Sequence, residues 1–271
     1  KLENLYKLYS NYESDNEYAL VQKQKTNRRL RFFNENNKSI MWTNAGNLND
    51  VAKLIHSNLS KDNLLGACMG SRSGEEQIIL EEVLGLGANV FGVEITETAN
   101  TLPKTIIADF HYLPKNLFGK FDFVYSWGVL HHTGSVWKAI ENASTLVAPK
   151  GQMYLALYSL DVQPNAEYWL KTKEKYVNAS YFRKIVMEQS YLYTYYYSSS
   201  ILQRIIGLFK PESGRTRGME LMTDVRDWLG GWPMEFVYDA DVEKFICEKG
   251  FIMLNIKKGE ACTEFLFRKI N

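Results

Sequence analysis

Asn63-Leu-Leu-Gly-Ala-Cys68, Asn89-Val-Phe-Gly-Val-Glu94, Thr105-Ile-Ile-Ala108, Phe121-Asp-Phe-Val-Tyr-Ser126 and Gln152-Met-Tyr-Leu-Ala-Leu-Tyr158 are five short apolar runs. Between them lie the amphipathic patterns Glu75–Leu84 and Val136–Leu146, with a shorter helical pattern after Thr96. Apolar runs of strand length alternating with helical patterns predict a parallel sheet with helices on both faces. Gly85 and Gly87 supply a stop after the first helix. Downstream, Asp239–Glu248 reads as an amphipathic helix and Gly250 as its C-cap. Phe251–Lys257 and Thr263–Arg268 then read as two strands joined by a turn at Gly259-Glu260. A purely parallel dinucleotide fold would not end in a hairpin, so this ending is informative.

Two stretches break the rhythm. Residues 1–60 read as a polar, mostly helical segment in which Leu5, Leu8, Tyr9 and Tyr12 share a face. Within it, Lys23, Lys25, Arg28, Arg29 and Arg31 form a run of five bases without an acid. That run reads as a solvated helix face or as a grip on an anionic substrate group. Residues 159–235 are Tyr-rich and end in RGMELMTDVRDWLGGWPMEF, and we expect a helical insertion there. The expected organisation is an N-terminal segment (1–60), a core (61–158 and 236–271) and a substrate-covering insertion (159–235).

Composition narrows the function classes. With 271 residues and 45% hydrophobic content, the chain is long enough for a full core without staples. Its 32 basic and 31 acidic side chains leave a net charge of +1, so no global field favours nucleic acid. Cys68, Cys247 and Cys262 are too scattered for a disulfide framework or a zinc site, which suits a reducing cytoplasm. No apolar run approaches the roughly 20 residues of a membrane span, and no charged-then-apolar leader opens the sequence. A soluble cytoplasmic protein is expected.

In open parallel sheets, ligands bind at the carboxyl ends of the strands where strand order reverses. Cys68-Met-Gly70-Ser71-Arg72-Ser73-Gly74 follows the first strand, with residues small enough to bring a ligand to backbone N–H groups, or simply to make a tight turn. It is neither a P-loop nor G-x-G-x-x-G. Glu94 ends the second strand, about twenty residues beyond that turn, where an acid accepts hydrogen bonds from both ribose hydroxyls or serves as a surface charge. Asp109 follows the third strand, suited to accept from an exocyclic adenine amine, with Phe110 as a flat neighbour for the base. The fourth strand runs into Ser126-Trp127-Gly-Val-Leu-His131-His132-Thr133. Adjacent histidines cannot face the same way on a helix, so they form no metal pair, no metal site is expected, and the plain alternative is a buried, hydrogen-bonded structural histidine that caps and packs the following helix.

Taken together, GVEIT (92–96), ADFHYLP (108–114), FDFVYSWGVLHHT (121–133) and LVAPKGQMYLAL (146–157) resemble the class I S-adenosylmethionine-dependent methyltransferases. The resemblance covers about Asp62 to Leu157 and returns from Asp239. It implies a Rossmann-like, doubly wound α/β fold with a seven-stranded sheet and an antiparallel last strand. It also implies S-adenosyl-L-methionine as cofactor, with Glu94 on its ribose, Asp109 and Phe110 at its adenine, and the Gly70 loop around its methionine part. Ile95, Ser71, Ser126 and Trp127 join the cofactor set by their place at the strand ends. The first motif departs from the family pattern: Gly66 replaces the usual strand-end acid and Cys68 the first loop glycine. What remains, CMGSRSGEEQ, resembles a variant in bacterial methyltransferases of glycan and secondary metabolism, with Arg72 suited to the cofactor carboxylate.

The expected reaction is methyl transfer to a small or glycan-linked acceptor. Enzymes that methylate exocyclic base amines carry Asn/Asp-Pro-Pro-aromatic after the fourth strand, whereas this chain reads Ser126-Trp127-Gly128-Val129. An oxygen acceptor, first of all a sugar hydroxyl, is expected. A hydroxyl needs a base, and His132 leads, with His131 beside it and Asp224 as rival or orienting partner. Arg217, Arg226, Trp228 and Trp232 suit a polar substrate held against aromatic faces, or a lid helix with ordinary ion pairs. Two other classes compete: a NAD(P)-dependent oxidoreductase, which would want G-x-G-x-x-G and no terminal hairpin, and a non-catalytic binding module on a Rossmann-like fold.

Overall fold

The computed structural model describes residues 64–71, 75–84, 88–95, 104–196, 215–216, 219–259 and 261–271. The segment 1–60, the helix after Thr96, Gly85, Gly87, Arg72 and Arg217 lie outside them. The described residues fall into two compact units, 165–234 and the sheet unit that ends at 164 and resumes at 235.

The sheet unit contains β1 (Leu65–Met69), α1 (Glu75–Leu84), β2 (Asn89–Glu94), β3 (Thr105–Ile107), β4 (Phe121–Trp127), α2 (Val136–Leu146) and β5 (Val147–Tyr158). Beyond the other unit it continues with α6 (Asp239–Cys247), β8 (Phe251–Lys258) and β9 (Cys262–Lys269). The strands make one seven-stranded sheet in the order β3-β2-β1-β4-β5-β9-β8. β1 pairs in parallel with both β2 and β4, so the order reverses between β1 and β4. β9 is antiparallel to both neighbours, as the hairpin ending predicts.

Elements with strong patterns appear where the sequence puts them. α2 buries Val136, Ala139, Ile140, Ala143 and Leu146, a single stripe at helical spacing, against the core formed with Val124, Met153 and Leu155. β4 is buried through its first six residues, as a central strand covered on both faces must be. β5 begins earlier than its apolar run suggests. Val147 already pairs with Phe121, and the register shift that follows accommodates the Pro149-Lys150-Gly151 stretch.

The 165–234 unit contains α3 (Ala166–Val177), α4 (Tyr181–Tyr195), β6 (Arg215–Thr216), β7 (Met219–Glu220) and α5 (Leu221–Gly230). The antiparallel pair β6/β7, only two residues each, has no period for a sequence pattern to show. Trp169 lies edge-on to Trp228 at 5.1 Å and to Tyr191 at 5.9 Å. Lys173, 1% exposed, sits over the Trp228 ring and donates to the Trp228 carbonyl. Glu188 joins all three helices by accepting from Tyr176 Oη at 2.5 Å and from Arg226 at 3.2 Å on each oxygen. Burial, reinforced by Glu188, drives the Tyr176 hydroxyl far above the usual phenol range, so it stays a donor.

Where the chain leaves β1, Gly70 has φ +75°, and a Cβ there would lie 2.6 Å from both Val129 methyl groups. Gly70→Ala combines left-handed backbone strain with overpacking, and should cost about 2–4 kcal/mol of stability. Chemical denaturation measures it. Shortening Val129 to Ala in the same chain should return the steric part, and a Gly70→Ala protein as stable as wild type would show that the turn is relaxed.

Candidate functional site

The carboxyl ends of β1, β2, β3 and β4 converge where the strand order reverses. Gly70 N donates to Val93 O at 2.8 Å, which folds the chain leaving β1 over the end of β2. Val129, just beyond β4, closes on the same glycine. Ser71, next in the chain, is buried, and its Oγ has no hydrogen-bond partner among the described residues. A Cβ on Gly92 would come within 2.4 Å of that Oγ and 2.5 Å of Gln77 Oε1, so this glycine makes room for both side chains. Gln77 in turn donates to Val90 O at 3.0 Å, fastening α1 to β2.

Glu94, at the end of β2, is 6% exposed, and its Oε1 accepts from Ile95 N at 2.8 Å. Ile95 is exposed beside it. Past β3, Asp109 Oδ1 accepts from His111 N at 2.8 Å, which closes a tight side-chain turn. Phe110 is buried in the core, and its carbonyl accepts from Asn142 of α2 at 2.7 Å. Ser126, at the end of β4, holds a second buried hydroxyl without a partner among the described residues, and Trp127 beside it is half-buried.

After β4, Leu130–His132 form a single 3-10 turn. His131 is fully buried, and its Nδ1 accepts from Tyr158 N at 3.2 Å. That bond sets the neutral ring as the Nε2–H tautomer and occupies its lone pair. His132 is half-buried, 4.5 Å from the His131 ring and edge-on to Tyr158 at 5.8 Å, and Phe236 lies 5.6 Å beyond Tyr158. Tyr158, Phe236 and Glu235 are members of this site that the sequence reading passed over. Tyr158 ends the fifth strand, so the strand-end rule applied to the first four would have found it.

Glu235 links the 3-10 turn after β4 to the start of α2. Its N–H donates to His131 O at 2.8 Å, and its Oε2 accepts from Val136 N at 2.8 Å. Ser135, in the N-cap position, makes no side-chain cap, so α2 takes its cap from a carboxylate 99 residues downstream. Burial pushes the Glu235 carboxyl above the usual glutamate range. The Val136 N–H and the charge of His111 oppose that push.

The other candidates sit in the 165–234 unit. Asp224 is buried and accepts from Tyr196 Oη at 2.8 Å. Arg226 pairs with Glu188 while about half of its side chain remains exposed. Trp228 packs on Trp169, and Trp232 is half-buried. Among the described residues no cluster of three or more His, Cys, Asp or Glu converges on a metal position. No described helix is long and apolar enough to cross a membrane.

A family model described as a methyltransferase domain matches residues 45–238. The chain belongs to that family. Its sheet is the class I methyltransferase sheet. Among solved structures, PKMT2 from Rickettsia typhi in complex with AdoHcy aligns with TM-score 0.51 and 12% identity, over 76% of this chain and 49% of that one. This chain therefore spans about half the length of the Rickettsia protein. The 1,6-didemethyltoxoflavin-N1-methyltransferase of Burkholderia thailandensis aligns over 94% of this chain and 90% of that one, at 12% identity and TM-score 0.42. The magnesium protoporphyrin IX methyltransferase of Synechocystis aligns over 82% and 81%, at 16% identity and TM-score 0.42. No curated protein matches the sequence.

For a methyltransferase the cofactor must fit this crevice, and its residues suit S-adenosylmethionine. The two buried hydroxyls, Ser71 and Ser126, stand at adjacent strand ends and have no hydrogen-bond partner among the described residues, which a polar ligand would supply. Glu94 and Asp109 place acceptors at the next two strand ends, and Gly70 keeps side-chain bulk away from the turn.

The raised Glu235 pKa carries a pH signature. Stability tied to its neutral form is fully present below the unfolded-state value of about 4.3 and is lost as pH rises through the higher folded-state value. Glu235→Gln keeps an acceptor for Val136 N–H. It should melt above wild type at pH 7 and match it at pH 4, whereas a variant melting below wild type at pH 7 would show that the carboxylate is net stabilising.

Proposed function

We propose that the protein is an O-methyltransferase acting on a small or glycan-linked polar acceptor, with a sugar hydroxyl as its first substrate class. It is an S-adenosylmethionine-dependent methyltransferase, and when bound that group supplies an activated methyl on a sulfonium. The chain's own work is then to hold the cofactor, align the acceptor and remove one proton. Glu94 accepts from the ribose hydroxyls, with Ile95 beside it. Asp109 receives the adenine amine, with Phe110 as the apolar floor beneath the loop. Gly70, Ser71 and Ser126 line the methionine side with Trp127, and Arg72 pairs with the cofactor carboxylate.

The observation that carries the oxygen reading is the pair of histidines after β4. His131 has its Nδ1 committed to Tyr158 N and its backbone carbonyl to Glu235, so it is a strut. His132 is the half-buried ring it supports, and a neutral imidazole there takes the hydroxyl proton as the methyl is attacked. No amine-specific Asn/Asp-Pro-Pro motif competes for that place. Arg226 and Trp232, with Arg217, are proposed to hold the acceptor, Trp228 supporting them from inside its unit. Asp224 is the rival base. The cytoplasm is the proposed compartment, and the family match sets aside the oxidoreductase alternative.

Two measurements test the reading. Calorimetry of S-adenosylhomocysteine on Glu94→Ala should show about 1.5–3 kcal/mol of lost binding, the worth of charge-assisted hydrogen bonds, and undiminished affinity would refute the ribose assignment. His132→Asn should slow transfer to a hydroxyl acceptor at least about tenfold while leaving cofactor affinity intact. If Asp224→Asn slows transfer and His132→Asn does not, the base is in the 165–234 unit.

A further inference from the structure

The loop after β3 is held at several points. Phe110 and Leu113 are buried, Asn142 holds the Phe110 carbonyl at 2.7 Å, and Lys138 lies 4.0 Å over the Tyr112 ring. Tyr112 N closes a turn on Asp109 O at 2.9 Å. Within this loop, two groups of one residue converge on a single oxygen. Asp109 Oδ1 accepts from His111 N at 2.8 Å and lies 3.3 Å from His111 Nδ1. Asp109 Oδ2 makes no hydrogen bond with a described residue. The Asp109 side chain is 40% exposed and that of His111 19%, so the acid faces outward and the imidazole backs it.

We propose that His111 is a positioning residue, which fixes the Asp109 carboxylate so that Oδ2 is the oxygen presented to the exocyclic amine of the cofactor's adenine. A carboxylate on a free rotor offers either oxygen and loses that freedom on binding. One whose Oδ1 is already occupied has lost it in advance, which tightens recognition without a new ligand contact. The ring turns its Nδ1 toward Asp109. On its other side the buried Nε2 has no partner among the described residues, while Glu235, capping α2, feels the charge of the ring. Glu235 is bonded in turn to the backbone of His131. The inference rests on the proposed contact between Asp109 and adenine.

The test compares S-adenosylhomocysteine with S-inosylhomocysteine, in which a carbonyl replaces the exocyclic amine, by calorimetry on the full chain. Asp109→Ala should abolish wild-type preference for the adenosyl ligand. His111→Ala should reduce that preference about tenfold, mostly through the adenosyl ligand. His111→Asn, whose amide nitrogen takes the place of Nδ1, should keep it within about twofold. If Asp109→Ala loses the preference and both His111 variants keep it, the positioning role is overturned and the adenine contact stands. If Asp109→Ala keeps the preference, the adenine contact fails and the inference with it. Equal loss of both ligands in both His111 variants would make the histidine a packing residue only and would also overturn the proposal.

Discussion

The site depends on the close approach of Gly70 and Val129. A parallel sheet that reverses its order between β1 and β4 opens a crevice at that point, and the chain leaving β1 has to turn across it. With φ +75° and Val129 methyl groups 2.6 Å from a notional Cβ, that turn admits glycine and little else. Its N–H reaches Val93 O, so β1, β2 and the segment after β4 meet at one residue. Ser71, Glu94 and Ser126 stand at the strand ends around this junction.

A second constraint comes from far along the chain. Glu235, where the chain re-enters the sheet unit, caps α2 and is bonded to the backbone of His131, and its carboxyl is under the influence of His111. The loop after β4 and the start of α2 are thereby tied to the residue that follows the 165–234 unit. The cost is a carboxyl in a partly desolvated place, which a helix N-terminus and a nearby imidazole partly offset.

Much of this was legible in the sequence because the core elements obey strong periods. β2, α1 and α2 have the bounds that their apolar patterns predict, and the terminal hairpin follows from Gly250 and Gly259. β5 extends beyond the apolar run Gln152–Tyr158, because pairing of Val147 with Phe121 carries the strand through Pro149 and Gly151. In the site, residues directly after a strand were legible, since their place follows from topology alone. Glu235, Phe236 and the tautomer of His131 were not, because they depend on contacts between segments distant in sequence. Arg226 and Trp228 show the converse: a polar and aromatic composition reads as a binding surface, while Glu188 and Trp169 already engage those side chains.

The central claim is that S-adenosylmethionine lies across the carboxyl ends of β1 to β4. Hydrogen exchange with and without S-adenosylhomocysteine tests it most directly, because backbone amides at the ligand report locally. The account predicts slowed exchange at residues 69–71, 94–95, 108–111 and 126–132, with β8 and β9 unchanged. Protection confined to other segments, or no change at these strand ends under saturating ligand, would contradict it.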